Sequence, residues 1–180
     1  MKQNIIYNGK ETKAGIFDFV MMDELGTAIK SGNEEMLRRC RIPSVKLAGG
    51  QQTAIGFAMF LPSPRAVEIL LERGADPNEP TVWGNQEGLM APPLFWAVRL
   101  MGSCCSDLKS VANILIAKRE SPNDGLQSTN MTPLHVAAMA GNQEMTHKLI
   151  EAGGDLNAVT RNGYSAFMFA LTSNDSDGTP

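Results

Sequence analysis

Side chains able to do acid, base or metal chemistry are few in this 180-residue chain and do not converge. It contains two histidines, His135 and His147, and three cysteines, Cys40, Cys104 and Cys105. A nucleophilic site needs a nucleophile, a base and a group that orients the base, and no such set is spaced to meet. Neither histidine pairs with a cysteine at zinc-ligand spacing, and Cys104-Cys105 stand in a segment with no further thiol nearby. The run Gly49-Gly50-Gln51-Gln52-Thr53 has glycines that could cradle a phosphate. No Gly-Lys-Ser/Thr follows it, so it reads as a tight turn between structural units. Asn130-Met131-Thr132 and Asn174-Asp175-Ser176 satisfy the glycosylation triplet, a short and common pattern read here as coincidence. The residues call for no metal and no cofactor, and they point away from an enzyme.

Composition reads as that of a soluble globular protein. At 43% hydrophobic and 19% charged, the chain can bury a continuous core. Sixteen basic against 19 acidic residues give a net charge of −3, without the basic stripe that phosphate neutralisation requires, so nucleic acid is not an expected partner. No signal-peptide core opens the sequence and no stretch is long and apolar enough to span a bilayer. An odd cysteine count with an adjacent pair argues against a disulfide framework. The expectation is a cytoplasmic protein that is monomeric alone.

What must position any binding residue is a repeat. Thr132-Pro133-Leu134-His135-Val136-Ala137-Ala138 opens with an N-cap threonine and a proline at the first helical position. Gly141-Asn142 then breaks the helix before Met145, Leu149 and Ile150 form a second apolar face, and Gly153-Gly154 ends that second helix. The pattern returns in Thr53-Ala54-Ile55-Gly56-Phe57-Ala58-Met59 and runs on to Asn78, and the interval from Thr53 to Asn78 equals that from Thr132 to Asn157. A third copy opens at Pro92-Pro93-Leu94-Phe95-Trp96-Ala97-Val98 and reaches Asn123 over a longer interval. About six residues are therefore inserted around 102–107. A second enlargement occupies 79–91. Leu25 to Leu37 forms a degenerate first copy around Gly32-Asn33, and Ser165, one repeat length after Thr132, begins a fifth.

The string Thr-Pro-Leu-His-x-Ala-Ala, then Gly-Asn, then Leu-Ile-x-x-Gly-x-Asp-x-Asn, resembles the ankyrin repeat over residues 23–171. The resemblance implies an all-α ankyrin-repeat solenoid of about four repeats plus a partial fifth, with hairpin-like fingers and two enlarged loops. Residues 1–22 are expected to form an N-terminal capping segment, with Ile16 to Met22 packing over the first repeat, and 172–180 a polar C-terminal tail. The family's histidine at this position hydrogen-bonds the framework, which assigns His135 a structural role, while His147 is expected on a helix surface.

The resemblance further implies a non-catalytic protein-protein interaction module, an adaptor or inhibitor, whose partner protein lies in the concave groove of inner helices and fingers. The residues after each pair of small residues face that groove: Lys30 and Ser31, Phe60 and Leu61, Arg99 and Leu100, Met139 and Ala140, with Arg161 and Tyr164 on a late finger. The enlarged 79–91 finger adds Trp83, Asn85, Gln86 and Met90, residue types that interfaces favour. Three alternatives stay open. Some of the groove residues, Phe60 especially, could be covered by the adjacent inserted loops. Trp83 could fold back to pin its own loop, and the half-repeat at the end leaves room for a targeting module of a larger enzyme or secreted bacterial effector whose activity lies beyond this chain.

Overall fold

The computed structural model describes residues 4–7, 10–13, 16–40, 44–47, 50–61, 63–82, 89–101, 107–118 and 122–174. Each repeat supplies an inner and an outer helix. The first pair is α1 (Ile16–Ser31) and α2 (Glu34–Arg39), followed by α3 (Ala54–Phe60) and α4 (Pro64–Glu72). Next come α5 (Pro93–Leu100) and α6 (Asp107–Lys118), then α7 (Pro133–Met139) and α8 (Gln143–Glu151), with α9 (Ala166–Asn174) as a further inner helix. Inner helices pack in the order α1, α3, α5, α7, α9, while α2, α4 and α6 line up behind them. The core is one cluster running the length of the stack, from Leu25 through Ile55, Leu94 and Leu134 to Ala166.

Ahead of the inner helices the chain turns out into fingers. Antiparallel hairpins form from β1 (Asn4–Tyr7) with β2 (Lys10–Lys13), β3 (Ser44–Leu47) with β4 (Gly50–Thr53), and β5 (Thr81–Val82) with β6 (Met90–Ala91). Leu47 pairs with Gly50, and residues 48–49 of the expected turn lie outside the described residues. Later fingers shrink to single bridges, Leu126 to Met131 and Val159 to Ser165. Residues 83–88 and 102–106 lie outside the described residues.

Local chemistry explains the boundaries. Gly32 and Gly141 adopt φ of 62° and 61°, a left-handed conformation that glycine enters without a Cβ penalty. The following Asn33 and Asn142 then cap α2 and α8 by accepting from the Met36 and Met145 amides. The second repeat lacks this pair and turns instead at Ser63-Pro64, with the serine hydroxyl accepting from the Ala66 amide. Helix α1 runs unbroken from Ile16 to Ser31, so the expected boundary at residue 22 falls inside it, while the side chains of Ile16 to Met22 lie outside the described residues. At the other end α9 continues to Asn174, which makes the first residues of the expected tail helical.

The starts of α3 and α7 are locked to the finger that follows them. His135 is fully buried. Its Nδ1 accepts from the Thr132 amide at 3.2 Å and from the Thr132 hydroxyl at 2.8 Å, while its Nε2 donates to the Ala158 carbonyl at 3.1 Å and the Tyr164 carbonyl at 3.2 Å. Two carbonyl partners fix the proton on Nε2. The equivalent position of the second repeat is Gly56, and there Thr81 from the next finger takes over. A Cβ on Gly56 would collide with Thr81 Oγ1, and that hydroxyl accepts from the Thr53 amide at 3.2 Å. In the third repeat Phe95 occupies the position, and the neighbouring Trp96 donates through Nε1 to the Thr81 carbonyl at 2.9 Å.

Candidate protein-binding surface

A helix whose body is buried and whose last turn is exposed presents only that last turn to a partner. When the repeats are aligned on their helix openings and Gly-Asn turns, one register position near the end of the inner helices holds Lys30, Phe60, Arg99 and Met139. Lys30 and Arg99 are exposed, and Met139 is 39% exposed. In the helix bodies behind them Leu25, Ile55, Leu94 and Leu134 are at most 1% exposed. The side chain of Phe60 lies outside the described residues, though its backbone ends α3. At the next position Ser31 and Ala140 are exposed, whereas Leu61 and Leu100 are half-buried against the core. The strip is thus less apolar than the sequence suggests, because two of its leucines face inward.

The remaining expected residues fall around this strip. Met90 is half-buried in β6, and its carbonyl accepts from the Gln127 amide at 3.3 Å, tying one finger to the next. Arg161 is exposed, with its amide donating to the Thr129 carbonyl and its guanidinium to the Gln127 carbonyl. Tyr164 is half exposed, its ring 5.8 Å from that of Phe169. Trp83, Asn85 and Gln86 lie outside the described residues.

Electrostatics separates the two sides of the stack. On the outer helices Arg65 grips Glu34 through Nε and Nη2, both at 2.9 Å, and reaches Glu68 at 3.0 Å. Arg38 pairs with Glu72 at 3.1 Å. Glu144 accepts from Lys109 at 2.6 Å and from Lys148 at 3.0 Å. The Arg65 guanidinium holds the Glu34 carboxyl below the usual carboxylate range, and Lys109, followed by Lys148, does the same for Glu144. Arg73 caps the end of α2 through the Leu37 and Cys40 carbonyls, where a cation meets the negative pole of the helix. Among the described residues Lys30 and Arg99 make no ion pair.

His135, the residue best suited to general-base work, is spent on structure. Both ring nitrogens are engaged, and burial pushes its pKa below the ordinary histidine value, against the pull of the Tyr164 and Ala158 carbonyls. His147 sits exposed on α8.

An apolar face on α9 escapes the sequence reading. Phe167 is 70% exposed and Leu171 53%, with Met168 between them. Their register is the available signal: Phe167, Met168 and Leu171 stand one repeat length after Leu134, His135 and Ala138, which are buried where α8 and α9 cover α7.

Residues 92–178 match the family described as ankyrin repeats in three copies. Similar curated proteins include neurogenic locus notch homolog protein 1 of Xenopus tropicalis, 33% identical over 126 residues, which is 70% of this chain and 4% of that protein. Neurogenic locus notch homolog protein 2 of Homo sapiens is 32% identical over 114 residues, 63% of this chain and 4% of that protein. Neurogenic locus notch homolog protein 4 of Homo sapiens is 29% identical over 122 residues, 68% of this chain and 6% of that protein. The chain thus spans a small fraction of these relatives. No described helix is long and apolar enough to cross a membrane. With paired helices, Gly-Asn turns, projecting fingers and the family match in agreement, this chain is an ankyrin-repeat protein.

Proposed function

We propose that the chain is a non-catalytic protein-binding module, an adaptor or inhibitor, that takes its partner on the concave side formed by the ends of the inner helices and the fingers. Ankyrin repeats are generally protein-protein interaction modules. The observation that carries the reading here is the row Lys30, Arg99 and Met139, exposed at one register position on helices whose bodies are packed into a single core. A stacked backbone is preorganised, so little ordering entropy opposes association. The 79–91 segment, whose sequence carries Trp83, Asn85 and Gln86, supplies a second contact, and its described base is held by the Trp96 bond to the Thr81 carbonyl. The engagement of both His135 nitrogens supports the absence of catalysis.

The test is capture of the partner from native cell extract by the wild-type chain and by the W83A/R99A variant. Tryptophan and arginine dominate interface energetics, so capture should fall by about tenfold or more, with the helical circular dichroism unchanged. Undiminished capture would contradict this assignment of the surface.

A further inference from the structure

We propose that the partner segment taken by this surface is acidic, with two carboxylates set about six residues apart in an extended strand and an apolar side chain beyond them. The inference rests on the concave-surface reading and names the partner's chemistry.

Charge distribution carries it. The chain is acidic overall, at −3, yet on the concave row the charged residues are Lys30 and Arg99, both cations. The described glutamates of the outer helices are largely neutralised in place: Glu34 by Arg65, Glu72 by Arg38, Glu144 by Lys109 and Lys148, and Glu35 by Arg39. Asp76 and Asp155 accept from the Asn78 and Asn157 amides of their own loops. Glu24 is exposed on α1 but stands nearly two turns before Lys30, about 9 Å along the helix. Two basic groups without an ion-pair partner among the described residues, held on a rigid stack, are therefore placed to pair with charge from outside.

Spacing gives the pattern. Lys30 and Arg99 stand at the same register position on α1 and α5, with α3 packed between them. Neighbouring packed helices lie about 8–10 Å apart, so the two cations are separated by roughly 20 Å. An extended chain rises about 3.3 Å per residue, so carboxylates about six residues apart span that distance. One helix further, about three residues along the strand, Met139 offers an adaptable apolar contact. Arginine can grip a carboxylate through two parallel bonds, whereas lysine acts as a point charge.

The experiment selects random dodecapeptides displayed on phage against the wild-type chain and against the K30E/R99E variant, whose exposed positions leave the fold unchanged by circular dichroism. The enriched peptides are then retested on A140W, which fills the groove beside Met139. The wild type is expected to enrich peptides with two Asp or Glu side chains at the spacing derived above. Their binding should weaken at least about tenfold on K30E/R99E, the scale of losing one charge-assisted contact, and should disappear on A140W. Peptides that A140W rejects but that lack the acidic pair, or that ignore K30E/R99E, overturn the charge assignment while leaving the concave surface in place. Peptides indifferent to A140W, or no enrichment at all, overturn both.

Discussion

At the scale of single residues, the same structural task is done two ways at one register position, and each makes its own prediction. His135 bridges Thr132 to the finger carbonyls of Ala158 and Tyr164. Because burial lowers its folded pKa, the unfolded chain binds the extra proton first as pH falls. Stability from this group should be complete above about pH 6.5, the unfolded value, and decline as pH drops toward the lower folded value. Urea midpoints measured from about pH 8 to about pH 5 should show this slope. H135Q should flatten it and should cost about 1–3 kcal/mol above the unfolded pKa through buried groups left unpaired. In the second repeat the pair Gly56 and Thr81 shares the role. G56A drives a methyl group against the Thr81 side chain and should destabilise by about 1–3 kcal/mol. Thermal denaturation of the double-mutant cycle should show T81A recovering part of that loss, since it removes Oγ1 and Cγ2 from the contact. His135's role is legible in the sequence because threonine, proline and histidine stand together. Thr81's is not, since its partner Gly56 lies far back along the chain and nothing local marks a threonine as the replacement for an imidazole.

At the scale of elements, burial depends on what stacks next rather than on the residue. Leu134 of α7 and Phe167 of α9 share one register position, yet Leu134 is 1% exposed and Phe167 is 70% exposed. L134A should therefore cost about 2–5 kcal/mol, whereas F167S, or F167S with L171S, should stay within about 0.5 kcal/mol per site. Calorimetry of the variants checks the contrast, and a large loss from F167S would show that α9 is covered in solution. Helix starts and stops are readable because capping chemistry is local, as at Thr132-Pro133 and Gly141-Asn142. The Ser63-Pro64 turn is harder to read because it reaches the same geometry without the Gly-Asn pair. The exposed α9 face is hidden because its residues match the pattern of buried ones, and pattern alone does not reveal what lies beyond.

At the scale of the whole molecule, the stack divides its charges. Outer helices close most of their glutamates into ion pairs, several of which bridge repeats, as Arg65 to Glu34 and Lys109 to Glu144 do, while the ends of the inner helices keep exposed cations and a thioether. The architecture and its register are visible in the matched intervals from Thr53 to Asn78 and from Thr132 to Asn157. The side-specific pairing is not, because side chains roughly one repeat apart meet only when helices stack. The concave account makes a spatial prediction that hydrogen exchange reads directly. With the chain free and then saturated with the protein it captures, exchange should slow in the last turns of α1, α3, α5 and α7 and in the finger amides, while α4 and α8 stay unchanged. Protection confined to the outer helices would contradict the account.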